Sequence, residues 1–181
     1  IVGIFVLIEW ISINKKKKSP IYIIGLAFIF LSIISAYFLR GDDMESISLF
    51  LWILTICFMS DIGGYFIGRS FGKTKLTKIS PNKTYEGSLG SFLFSLIPIF
   101  LIYFFNIETD NLSLSIKTMF ISLLLSLICQ IGDIFVSYVK RINKVKNTGN
   151  LLPGHGGILD RLDGLLFVII FSSFLKIINI F

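Results

Sequence analysis

Stretches of some twenty residues almost free of charge recur along the chain, and they restrict its fold more than any other feature. An α-helix needs about 20 apolar residues, at 1.5 Å each, to cross a hydrocarbon layer about 30 Å thick. By that measure a partial helix at 1–13 precedes spans at 20–39, 47–68, 87–106, 112–136 and 164–181. No strand-length alternation suggests a membrane barrel, so the expected fold class is all-α, a polytopic transmembrane helical bundle. Composition agrees: 54% of residues are hydrophobic and 15% charged, against about a quarter charged in soluble domains. One small globule cannot bury so much apolar side chain. The first apolar run begins at Ile1 and ends by Ile13 without a cleavage-site pattern. The expectation is a single membrane domain over 1–181 that lacks an N-terminal portion.

The formal charge of +6 would suggest nucleic acid in a soluble protein, but here the basic residues lie between apolar runs. Lys15 to Lys18 form one group, and Arg69, Lys73, Lys75, Lys78 and Lys83 a second. Lys140, Arg141, Lys144, Lys146 and Arg161 form a third. These alternate loops hold 14 of the 17 basic residues. The opposite loops carry Asp42, Asp43 and Glu45, or Glu108 and Asp110. The positive-inside rule then places the three basic loops in the cytoplasm, and nucleic acid is not an expected partner. Connections 69–86 and 137–163 are also longer and more polar than hairpins between spans require, and function is expected there. Cys57 and Cys129 sit within apolar runs without metal-type or disulfide spacing, and read as small buried hydrophobes.

Four segments carry candidate chemistry. In Asp61-Ile62-Gly63-Gly64 a carboxylate lies deep in an apolar run, where it is costly unless it faces a polar cavity or a cation. In Ser80-Pro81-Asn82-Lys83-Thr84-Tyr85-Glu86-Gly87, Pro81 stops a helix and Thr84 or Ser80 caps the next. A lysine and hydroxyls before a helix start suit a phosphate, though an ordinary capped loop looks much the same. Gln130-Ile131-Gly132-Asp133 places a second carboxylate near a membrane boundary, seven residues before Lys140 and so able to share a helix face with it. In Pro153-Gly154-His155-Gly156-Gly157-Ile158-Leu159-Asp160-Arg161-Leu162-Asp163, Asp160 and Asp163 share a helix face, and glycines flank the single histidine. Carboxylates with phosphate oxygens and water are the ligand set of Mg²⁺, and basic side chains suit a triphosphate. No Walker-type run occurs, so a P-loop NTPase is excluded. The residues alone describe a membrane-embedded enzyme acting on phosphorylated or nucleotide substrates.

The stretch from Ser137 to Asp163, SYVKRINKVKNTGNLLPGHGGILDRLD, resembles the signature of the phosphatidate cytidylyltransferase family. That pattern runs S-x-x-K-R, four residues, K-D, then P-G-H-G-G-x-x-D-R-x-D. DIGGYFIGRSFGKTKL, ISPNKTYEG and the Gly132-Asp133 pair look like further family segments, in family order over 61–164. The resemblance implies cytidylyl transfer from CTP to phosphatidate, giving CDP-diacylglycerol and pyrophosphate. It implies Mg²⁺ with room for a second cation, a helical fold with a polar cavity open to the cytoplasm, and a homodimer in a bacterial-type inner membrane. By position, Asp133 and Asp160 would be the principal metal ligands, with Asp61 and Asp163 next. Asp133, Asp160, Lys140 and Arg141 form the implied catalytic set. Lys83, Lys140, Arg141, Lys146 and Arg161 would hold phosphates, and Ser80, Thr84, Glu86, His155, Gly156 and Gly157 would complete the substrate contacts. The sequence departs from the pattern at Asn147, where the family usually has Asp. Ile62 and Gly64 replace a small polar residue and Ala, and Gly164 stands where Ser is common. Three alternatives remain at this level: a related transferase or kinase acting on another lipid, a cation-binding or transport protein using Asp61 and Asp133, and a non-catalytic homologue, suggested by Asn147.

Overall fold

The computed structural model describes residues 2–13, 20–77, 79–109, 112–149, 151 and 156–181. His155, Pro153, Gly154, Lys15 to Lys18, Lys78 and Asp110 lie outside the described residues. The described chain forms α1 (Val2–Ile13), α2 (Pro20–Arg40), α3 (Met44–Phe71), α4 (Tyr85–Ser95), α5 (Ile97–Phe104), α6 (Ile116–Ile142) and α7 (Leu159–Ile177). Lys75 and Thr84 pair in an isolated bridge within the α3–α4 loop.

Local chemistry sets the helix starts. The Asp43 carboxylate accepts from the Ser46 amide at 2.7 Å, and the Thr84 hydroxyl from the Gly87 amide at 3.0 Å. Of the two caps open in the sequence before α4, Thr84 is therefore the one used. Ser115 and Thr118 bond reciprocally in a capping box at the head of α6, satisfying amides that the first turn leaves unpaired. The expected span 87–106 is interrupted at Leu96, with Pro98 in the first turn of α5. A proline there has no N–H for the preceding turn, and its ring crowds that turn's carbonyl, so the helix breaks. The run Tyr85–Phe104 still measures one apolar span.

Three helices outrun their expected ends. α3 continues to Phe71, α6 to Ile142, and α7 starts at Leu159 rather than at 164. Arg69, Lys140 and Arg141 thus lie in last helical turns, where a cation meets the negative end of the helix dipole. The two long connections contract to 72–84 and 143–158. By length and composition, α2, α3, α4 with α5, and α6 can each cross a membrane. α1 has 12 residues, and α7 carries Asp160, Arg161, Asp163 and Lys176 within its 19. Outward side chains such as Ile24, Ile34, Phe58, Leu89, Leu93 and Phe120 are exposed, as lipid contact requires. The chain is an integral membrane protein.

α3 runs through the middle of the bundle. A Cβ on Gly90 of α4 would lie 2.6 Å from the Gly63 carbonyl of α3, and one on Gly63 would lie 2.5 Å from the Gly90 carbonyl. Two helices can approach so closely only over small residues. α6 buries Thr118, Ser122, Ser126 and Gln130 at four-residue spacing, a polar stripe on one face. Ser126 bonds Ser60 of α3 at 2.8 Å, and Ser88 of α4 donates to Gln130. Between lipid-soluble helices apolar contact gives little net association, so such bonds and close packing hold the bundle. One core, around Trp52, Ile56, Leu125 and Val168, lies toward the end where Lys176 bonds the Leu39 carbonyl and the Ser46 hydroxyl. A second, around Val6, Trp10, Ile29, Val139 and Leu159, seats α1 beside the loops of the other end.

Candidate active site

At that second end α3, α4, α6 and the head of α7 enclose a polar cavity of about 470 Å³. Asp61 of α3, Asp133 and Gln130 of α6, and Asp160 and Arg161 of α7 line it, together with Ser80, Asn82, Lys83 and Thr84 from the loop before α4. The α6 stripe leads into it, because Gln130 is one turn beyond Ser126 and Asp133 follows three residues later.

In the cavity Asp61 and Asp133 each bring a carboxylate oxygen, and the buried Cys129 behind them its sulfur, within 4.8 Å of one another. Such a cluster can hold a metal ion. The Lys83 ammonium reaches back from its loop to donate to Asp133 at 2.6 Å. Cys129 is buried, as its apolar surroundings imply, yet its thiol lies 4.0 Å from Asp61. A Cβ on Gly164 would lie 2.5 Å from Asp133 Oδ1 and 2.6 Å from the Cys129 sulfur. Gly164 thereby leaves room for Asp133 where a serine would crowd it.

Asp160 and Asp163 are organised around a different cation. Lys140 donates to Asp160 Oδ1 at 2.8 Å and lies 3.9 Å from Asp163. The second Asp160 oxygen accepts the Thr148 amide at 2.8 Å and the Gly157 amide at 2.9 Å. Partial burial pushes the Asp160 carboxyl up, but Lys140 and the two amides outweigh it and hold the group below the usual carboxylate range. Gly156 has φ +87, and a Cβ there would lie 2.8 Å from Asp160 Oδ2, so both its backbone and its neighbour demand glycine.

The structure thus brings Asp61, Asp133, Asp160, Ser80, Lys83, Thr84 and Arg161 to one cavity, while Lys140 and Asp163 flank it behind Asp160. Arg141 and Lys146 are exposed and lie outside the residues lining the cavity. The Glu86 carboxylate accepts the Thr74 amide, bracing the loop rather than facing the cavity. Gly156 and Gly157 shape the Asp160 loop, and His155 lies outside the described residues.

Sequence reasoning misses Glu9, which sits on the short α1 and is 2% exposed. Its carboxylate accepts the Ile158 amide at 2.9 Å, the Leu159 amide at 2.8 Å and the Thr148 hydroxyl at 3.0 Å. The available signal was a lone carboxylate in the apolar run IFVLIEWISI, the same signal that marks Asp61.

Fold and site together define a polytopic membrane protein with an acidic and basic cavity at one end of its helices. Residues 1–178 match the cytidylyltransferase family, and the chain belongs to it. It is 40% identical over 165 residues to the phosphatidate cytidylyltransferase of Bacillus subtilis, covering 90% of this chain and 60% of that protein. The protein of the same name from Staphylococcus haemolyticus is 35% identical over 171 residues, covering 91% of this chain and 63% of its own. That of Helicobacter pylori is 42% identical over 119 residues, or 65% of this chain and 42% of its own. The chain therefore spans about three-fifths or less of the length of these relatives.

Proposed function

We propose that the chain carries the site of a phosphatidate cytidylyltransferase, which joins CTP to phosphatidate and releases pyrophosphate. One observation carries the reading: a membrane-embedded cavity in a cytidylyltransferase-family chain unites three carboxylates with Lys83 and Arg161. Two anionic substrates repel each other, and a site that joins them needs fixed positive charge and a cation. Asp61 and Asp133 offer the hard oxygen donors that suit Mg²⁺, whereas the Cys129 thiol is a donor Mg²⁺ does not take. The Asp61 and Asp133 carboxylates fit the ion, and Asp160 lines the same cavity as a further oxygen donor. When bound, Mg²⁺ neutralises phosphate charge and favours departure of pyrophosphate.

In this reading a phosphatidate oxygen attacks the α-phosphorus of CTP directly. The bond from that phosphorus to the bridging oxygen of the β-phosphate breaks, and its electron pair leaves with pyrophosphate. Lys83 and Arg161 hold phosphate oxygens inside the cavity, with Ser80 donating a hydroxyl. Thr84 contributes chiefly through its cap, which fixes the loop that carries Lys83. Lys140 keeps Asp160 ionised and aimed, while Arg141 and Lys146, exposed outside the cavity lining, belong to the outer approach of the nucleotide. Basic loops at the cavity end support a site facing the cytoplasm from the inner membrane. A homodimer is part of the same reading, and cross-linking in detergent checks it.

The test offers CTP and Mg²⁺ with phosphatidate, a polyprenyl phosphate, or no lipid. Pyrophosphate release with phosphatidate alone is expected. Release only with the polyprenyl phosphate would reassign the acceptor, and nucleotide trapped on the protein would overturn direct attack.

A further inference from the structure

We propose that Glu9 is the positioning residue of Asp160, acting from the first helix to set how tightly the site holds a divalent cation. The inference rests on the reading of Asp160 as a cation ligand. The Glu9 carboxylate has two clients that Asp160 shares. Thr148 gives its hydroxyl to Glu9 and its amide to Asp160. The three successive amides opening α7 are divided in the same way, that of Gly157 going to Asp160 and those of Ile158 and Leu159 to Glu9. Amides at a helix start have no partner within the helix, and two carboxylates from opposite directions complete them.

Packing makes the link tight. A Cβ on Gly157 would overlap both the Glu9 carboxylate and the Thr148 hydroxyl, and one on Gly149 would lie 2.7 Å from Glu9 Oε1. The two loop segments that grip Asp160 therefore close directly over Glu9, which is buried at the centre of their contact. Its backbone is anchored in turn, since the Trp10 indole donates to the Tyr22 carbonyl of α2 at 3.1 Å. Glu9 is not among the residues lining the cavity, so it acts on the site through the loop and helix start that hold Asp160.

Replacing Glu9 by Gln keeps the shape and removes one acceptor. Either orientation of the amide sets an NH₂ donor against a backbone N–H, that of Ile158 or that of Leu159. The loop must shift, and the carboxylate of Asp160 shifts with it. Loss of such an outer support lowers metal affinity on the order of 10–100-fold.

The experiment measures Mn²⁺ binding by electron paramagnetic resonance to the purified protein without nucleotide or lipid, comparing wild type, Glu9→Gln, Thr148→Val and Thr148→Ser. Thr148→Val removes the hydroxyl but keeps the amide to Asp160, and so reports on the link even where Glu9→Gln folds poorly. Expected are an affinity loss of about 10–100-fold in Glu9→Gln and a smaller loss in Thr148→Val. Thr148→Ser retains wild-type binding. The Glu9→Gln/Thr148→Val pair loses less than the product of the single losses, because both variants break one chain of contacts. Mn²⁺ affinity unchanged in Glu9→Gln or Thr148→Val, alongside normal wild-type binding, overturns the positioning role and leaves the functional reading intact. Absence of Mn²⁺ binding by the wild type overturns the cation reading itself and this inference with it.

Discussion

Replacing Lys140 by Met removes the cation that two carboxylates share. The Lys140, Asp160 and Asp163 side chains are 13%, 11% and 14% exposed, so this is a largely buried ion pair. Removing one partner of a buried pair costs about 3–5 kcal/mol, because a charge remains without compensation. The lower end applies here. Asp160 keeps the amides of Thr148 and Gly157, and Asp163 keeps that of Gly164 at 3.2 Å. A loss of about 3 kcal/mol corresponds to a fall of about 6–12 °C in Tm for a chain of this size. Thermal unfolding in detergent measures it, with Lys140→Arg as the variant that keeps the charge and stays within about 1 kcal/mol of wild type. A loss below about 1 kcal/mol in Lys140→Met is what an exposed ion pair gives, and it would refute the arrangement of the two carboxylates around this lysine.

Three further outcomes follow from the packing. Ser60→Ala and Ser126→Ala each destabilise by about 0.6 kcal/mol, and the double variant by less than the sum, because both remove the bond between α3 and α6; additive losses in a double-mutant cycle would deny that bond. Gly90→Val drives a side chain into the Gly63 carbonyl and Ile67, costing about 1–3 kcal/mol of unfolding free energy, and a neutral result would contradict the close crossing of α3 and α4. Thr84→Ala loses the cap of α4, costing about 1 kcal/mol, whereas Thr84→Ser keeps it, as unfolding midpoints of the two variants would show.

Much of the candidate site was legible because a carboxylate in an apolar run is costly wherever it lies. Asp61 and Asp133 announced themselves that way, and Asp160 by its place beside a glycine-rich bend. Their partners were not legible, since Lys83 meets Asp133 only after α4 has folded against α6, 50 residues away in sequence. Glu9 carried the same signal as Asp61 but sat in a run too short to span, and its partners lie 139 to 150 residues further on. The spans themselves were readable from hydropathy. Their ends were not, because helix ends at a membrane surface depend on caps and ion pairs rather than on apolar content. The break at Leu96 was foreshadowed by Pro98, which hydropathy counts as one more weakly polar residue.

If the cavity at the basic end transfers a cytidylyl group to a lipid phosphate, label from the α-phosphate of CTP passes into lipid. Membranes containing the protein receive phosphatidate and Mg²⁺, beside membranes containing Asp160→Ala or Asp133→Ala at equal protein levels. Label in CDP-diacylglycerol from the wild type, lost in both variants and with a chelator, is the predicted result. Label unaffected by either substitution, or none from folded wild-type protein, would refute cytidylyl transfer at this cavity.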